Sequence, residues 1–147
     1  MPELELREVD ATNWREVATV EPREDQRGFV ATVPYYLALC HYGGIWNPVG
    51  LYEGDRVVGF AMWGVEKEDD SRWIGGLTID QRHQGKGYGR AAVERLIAFL
   101  RDEPGCSGIA LSYRPENEAA RRLYASLGFR ETGEMEDGEL VARLDLP

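Results

Sequence analysis

The 147-residue sequence has only two cysteines, Cys40 and Cys106, and only two histidines, His41 and His83. Two cysteines do not make a disulfide framework in a chain of this length. No CxxC or HxxxH spacing occurs, so no metal site is expected. Long apolar runs are missing too, and none reaches the roughly 18 residues that a membrane-crossing helix needs. The first ten residues, MPELELREVD, are charged and lack the apolar stretch of a signal peptide. A cytoplasmic location and no membrane partner are therefore expected. Positive charge is in short supply: 17 Lys and Arg stand against 26 Asp and Glu, a net charge of -9. Nonspecific nucleic-acid binding leans on basic patches, so no nucleic-acid partner is expected. An acidic surface attracts cations instead. Repeats, low-complexity tracts and internal linkers do not occur.

What is present is a globular composition, 43% hydrophobic and 29% charged, that suits one domain over residues 1–147. Leu4 and Leu6 alternate with charged residues, as in a half-buried strand. Thr12 or Asn13 is placed to cap a short helix from Trp14. Residues 21–28 read as a loop or a frayed helix start. Residues 29–42 are richly apolar, and Pro34 predicts two short helices there rather than one. Strands are predicted over 49–52, 57–65 and 72–80, the first two joined by a tight turn at Gly54. Val93, Leu96, Ile97 and Leu100 recur at helical spacing in a helix over 88–101, ended by Pro104-Gly105. A strand over 109–113, a helix over 117–127 closed by Gly128, and a hairpin around Glu136-Asp137-Gly138 follow. The order β-αα-β-β-β-α-β-α-β-β predicts a mixed α/β sheet with helices on both faces. Three successive strands imply antiparallel neighbours, and the later β-α-β step implies a parallel pair.

Between a predicted strand and a predicted helix lies Gln84-Gly85-Lys86-Gly87-Tyr88-Gly89-Arg90. Glycines let backbone N–H groups approach a ligand closely, and the helix N-terminus adds positive potential. Together they suit a pyrophosphate or similar anion. A P-loop would need Ser or Thr after Lys86, where Gly87 stands. Gly87, Gly89 and Ala92 do satisfy a dinucleotide fingerprint. Too little chain follows, however, for the further βα units of that fold.

The same segment matches the Q/R-x-x-G-x-G/A signature of the GNAT superfamily of N-acetyltransferases. Downstream, the run from Asn117 to Phe129 resembles that family's N-x-x-A-x-x-x-Y-x-x-x-G-F segment. Residues 80–88 and 112–120 are most similar to the bacterial diamine and polyamine acetyltransferases. The resemblance implies a GNAT-like fold and direct acetyl transfer from acetyl-CoA to a primary amine, with a diamine or polyamine such as spermidine or spermine as acceptor. It implies that the backbone of Leu77, Thr78 and Ile79 pairs with the pantetheine arm. Gln84, Gly85, Lys86, Gly87, Tyr88, Gly89 and Arg90 would hold the pyrophosphate, and Asn117 would bond the pantetheine. Asn117 also suits a helix N-cap, and the two roles are compatible.

An alkyl ammonium has a pKa near 10.4, so the enzyme must accept its proton, and the departing thiolate must gain one. The resemblance implies that Tyr124 is the acid. It lies two helical turns after Asn117 and so shares its face, although spacing alone also fits a core tyrosine. Some relatives carry a glutamate base at the position of Gly75, which here has no side chain. Glu24, Asp25, Glu66, Glu134 and Glu136 are alternatives acting through water. Gly75-Gly76 fits either close ligand approach or packing of Trp63 or Trp73. Acceptor recognition is expected from residues 21–52 and 131–139, with Glu24, Tyr36, Trp46 and Glu136 foremost. Carboxylates and aromatic faces suit a polycation. The same surface suits a homodimer contact, and a homodimer is expected. Other acceptors, an amino sugar or a peptide amine, and a non-catalytic acyl-CoA-binding module are the competing readings. The intact Tyr124 counts against the last.

Overall fold

The computed structural model describes residues 2–146; Met1 and Pro147, the outermost residues of the expected domain, lie outside the described residues. The chain runs β1 (Glu5–Glu8), α1 (Trp14–Ala18), a 3-10 turn (Glu24–Gln26), α2 (Val33–Gly43), β2 (Asn47–Glu53), β3 (Arg56–Val65) and β4 (Arg72–Ile79). A second 3-10 turn (Gln81–His83) leads to α3 (Tyr88–Arg101), β5 (Gly108–Tyr113), α4 (Glu118–Ser126), β6 (Arg130–Glu136) and β7 (Glu139–Asp145). The order is the one expected from the sequence.

One expectation fails. Residues 29–42 hold a single helix, α2, not two. Pro34 lies in its first turn, where the missing N–H would have no helical partner and the fixed φ suits a helix. The Thr32 hydroxyl caps that turn by accepting from Tyr35 N, and Gly44 ends the helix at φ 75.

The seven strands form one sheet in the order β1-β2-β3-β4-β5-β7-β6. Every neighbouring pair is antiparallel except β4 and β5, which α3 joins as a crossover. Alternation along β3 divides the core between the two faces. Phe60 and Met62 pack with Val17, Val33 and Cys40 from α1 and α2. Ala61 and Trp63 pack on the other face with Val93, Leu96 and Leu100 of α3. Burying each of these large side chains contributes roughly 1.5–3 kcal/mol.

The feature that matters for function is a defect in the sheet. β4 and β5 pair only at Arg72 with Ile109 and Trp73 with Ala110. Beyond that point they part. On its other side β4 carries an extra residue against β3, because Phe60 faces Thr78 while Met62 faces Gly75. Gly76 absorbs the bulge at φ 61, a conformation that favours glycine. A bulge bends its strand and sharpens its twist. The outer half of β4 thus swings away from β5 and has no strand partner on that side.

Candidate active site

The parting strands open two joined cavities, one of 540 Å³ and one of 220 Å³. Both are lined by Phe29, Val30, Leu77, Asn117, Ala120 and Tyr124, which mark the junction.

The narrow cavity follows β4 past Thr78 and Ile79 to the glycine loop, where Gln84, Gly85, Gly87, Tyr88 and Gly89 line it. Gly85 and Gly87 sit at φ 74 and 81. Gly87 is the N-cap of α3 and brings no side-chain cap, so the first N–H groups of the helix are left for another acceptor. With the helix dipole they form an anion cradle. Two side chains brace the loop from behind. Gln84 Nε2 donates to Ile79 O at 2.7 Å and to Gln26 Oε1 at 3.2 Å. Buried Asp80 accepts from Arg82 N at 2.9 Å and from Glu21 N at 3.3 Å. Burial opposes the Asp80 charge, but these donors and the Arg82 guanidinium win and hold its pKa below the usual range. Tyr88 turns its ring into the core and donates to Glu53 Oε1 at 2.6 Å. Only its backbone is left for a ligand. Lys86 and Arg90 do not line the cavity; Lys86 is exposed and Arg90 bonds Ser126 Oγ. His83 does line it, with its pKa lowered by burial first and then by the Arg56 charge.

At the junction, α4 presents Asn117 and Tyr124 together. Asn117 Oδ1 accepts from Ala120 N at 3.2 Å and so caps the helix. Gly128, at φ 99, follows the C-cap Leu127. Tyr124 is 8% exposed, with its ring 5.5 Å from that of Tyr113 and 5.9 Å from that of Phe129. Among the described residues no group hydrogen-bonds its hydroxyl. Burial, then the Glu139 charge, push its pKa up to about 12. At neutral pH it is a protonated phenol with a free O–H.

The broad cavity gathers distant segments. Tyr36, Trp46 and Glu136 line it as expected, whereas Glu24 stands outside the lining on the first 3-10 turn. Tyr36 stacks on Phe60 at 5.9 Å, and its hydroxyl accepts from Ala31 N at 2.9 Å. Gly75 and Gly76 make room for rings other than those expected. A Cβ at Gly75 would come within 3.1 Å of Trp46, and one at Gly76 within 3.2 Å of Tyr36. Trp63 and Trp73 are not what they accommodate. Four carboxylates line the cavity: Glu66, Glu136, Asp137 and Glu139. Glu134 is instead bonded by Arg143 Nε at 2.9 Å. Glu139 escaped the sequence reading. The turn beside it was visible there, but not the face to which its side chain would point. Among the described residues, no group of three or more His, Cys, Asp or Glu is placed to hold a metal, and no helix is long and apolar enough to cross a membrane.

Residues 5–129 match the acetyltransferase (GNAT) family. The chain belongs to this family. It is an acetyl-CoA-dependent N-acetyltransferase. The GNAT chain is 43% identical to the spermine/spermidine N(1)-acetyltransferase of Bacillus subtilis (strain 168) over 109 residues, which cover 69% of it and 70% of that relative. It is 33% identical to the N-alpha-acetyltransferase RimI of Mycobacterium tuberculosis over 92 residues, or 58% and 52% of the two chains. Its fold matches the crystal structure of spermidine N-acetyltransferase from Vibrio cholerae in complex with CoA and spermine, with a TM-score of 0.75 at 18% identity over 96% and 93% of the chains. In this GNAT enzyme, then, one lobe offers backbone donors, the other offers carboxylates and rings, and a phenol stands between them.

Proposed function

We propose that the enzyme acetylates a primary amine of a diamine or polyamine such as spermidine or spermine. The observation that carries this reading is the broad cavity, where four carboxylates and the rings of Tyr36 and Trp46 surround one space. A polycation gains from each of these contacts. Similarity to the Bacillus subtilis enzyme supports the same acceptor class.

In this reading acetyl-CoA enters by the narrow lobe. Leu77, Thr78 and Ile79 take the pantetheine arm along the free side of β4, as an added strand would lie. The N–H groups of the Gln84–Arg90 loop hold the pyrophosphate, and Asn117, while capping α4, offers its amide to the pantetheine. One β4 N–H polarises the acetyl carbonyl. Tyr124 protonates the departing sulfur.

The test is acetyl-CoA consumption across spermidine, spermine, putrescine, amino sugars, amino acids and peptides. Spermidine or spermine should turn over fastest, and the apparent KM should rise with salt because screening weakens exposed charge pairs. Inert polyamines beside a well-used amino sugar or peptide would overturn this acceptor and leave only acetyl transfer.

A further inference from the structure

The reaction needs a proton acceptor, and the strand that borders the cavity has none where Gly75 and Gly76 stand. Of the four carboxylates that line the broad cavity, Glu66, Glu136 and Asp137 are exposed and Glu139 alone is half-buried. It opens β7 immediately after a two-residue turn in which Asp137 and Gly138 both have positive φ, 48 and 82. Such a turn matches the twist of the flanking strands and fixes their register. Glu139 is thereby set beside the end of β5, where its Oε1 accepts the Ser112 hydroxyl at 2.7 Å. The charged and titratable groups sharing the cavity with it are Tyr36 of α2, Tyr124 of α4, Tyr113 at the end of β5, Arg114 after β5, Glu66 after β3, and Glu136 and Asp137 of its own hairpin; the Tyr113 hydroxyl is engaged, donating to Glu131 Oε2 at 2.7 Å. Its charge raises the pKa of both Tyr124 and Tyr36, in each case behind the larger effect of burial. Glu139 and the Tyr124 phenol thus line the same cavity, Glu139 on the side from which an amine would arrive.

We propose that Glu139 is the general base, held in place by Ser112. Glu139 takes the first proton from the substrate ammonium. The freed nitrogen lone pair bonds to the acetyl carbonyl carbon, the carbon–sulfur bond breaks, and Tyr124 gives its proton to the sulfur. The second nitrogen proton returns to the Tyr124 oxygen through water. Glu139 releases its proton to solvent, so one proton leaves per turnover. The proposal rests on the broad cavity as the acceptor side but not on the acceptor's being a polyamine.

The experiment is the pH profile of kcat/KM for the wild type, Glu139→Gln and Glu139→Asp, with spermine and with propylamine. General-base catalysis is typically worth about 10²–10⁴-fold, and Glu139→Gln should lose that much at pH 7. The loss should shrink about tenfold per pH unit up to the amine's pKa, because free amine then needs no base. Glu139→Asp should keep the wild-type profile at a lower rate. A Glu139→Gln profile parallel to the wild type at every pH, or a change in KM with kcat intact, overturns the assignment. Should Glu139→Gln fail to fold, Ser112→Ala and Glu139→Asp decide the matter: kcat unchanged in both would sink it. The wild type preferring propylamine to spermine would remove the polyamine acceptor while leaving the Glu139 test in force.

Discussion

The two lobes of the cavity are made from different parts of the polypeptide. The narrow lobe ends in a cradle that uses backbone: the outer half of β4, the left-handed turns at Gly85 and Gly87, and the start of α3. The broad lobe is built from side chains that many separate segments deliver, from Tyr36 and Trp46 to Ser112 and the β6–β7 hairpin. A backbone site tolerates changes in most side chains but not in its glycines. A side-chain site has the opposite sensitivities. The first arrangement suits a co-substrate that never changes, and the second an acceptor that differs from one enzyme to another.

Substitutions on each side should separate the lobes. Apart from Glu139→Gln, the largest effect is expected from Gly87→Val. The nearest atom to a new Cβ there is Pro2 Cδ at 3.8 Å, so space is not the problem; the residue's φ of 81 is. A β-branched residue resists that conformation, and the loop would lose N–H donors worth about 1.5–3 kcal/mol each to a charged group. CoA affinity by calorimetry should fall by about 100-fold, since 2.7 kcal/mol is about two decades, while the strain lowers the melting temperature without unfolding the protein. Unchanged affinity in a folded variant would refute the backbone cradle.

Tyr124→Phe comes next, at the junction. Its ring stays and the packing against Tyr113 and Phe129 should hold. The thiolate is a fair leaving group, so the loss should lie at the low end for acid catalysis, about 10- to 100-fold in kcat. Affinity for acetyl-CoA should move less, because the lost contact matters most in the transition state. Single-turnover rates are the proper measure; wild-type values would make Tyr124 a packing residue only.

The smallest effect is expected from Glu136→Gln in the broad lobe. Exposed charges are weakly coupled, so KM for spermine should rise only about two- to fivefold, and less at high salt. CoA affinity should not change. A Glu136→Gln variant that loses CoA binding would mean that the lobes are not separate.

Legibility followed the same division. The element order and the glycine loop are readable in the sequence because both depend on local pattern, apolar periodicity in one case and alternating glycines in the other. Pro34 predicts a break after Thr32, yet in a first turn proline is compatible with the helix, and α2 is continuous. Gly75 and Gly76 were recognised as unusual, but the rings they admit come from residues 36 and 46, far away in sequence. Glu24 and Glu136 looked alike as carboxylates in candidate segments, and only Glu136 lines the cavity. Lys86 and Arg90 looked like phosphate ligands, yet neither lines the narrow lobe.

By itself the sequence determined the element order, the glycine loop and the pairing of Asn117 with Tyr124 on one helix, because each is settled by residues within about two turns of one another. Tertiary structure alone decided that β4 and β5 part after two paired residues, that Tyr36 and Trp46 fill the room above Gly75 and Gly76, and that Glu139 meets Ser112. Those outcomes depend on sheet twist, on a bulge and on register between strands remote in the chain. A one-residue slip in β7 would turn Glu139 to the opposite face, and nothing in the local pattern around residue 139 records which face is which.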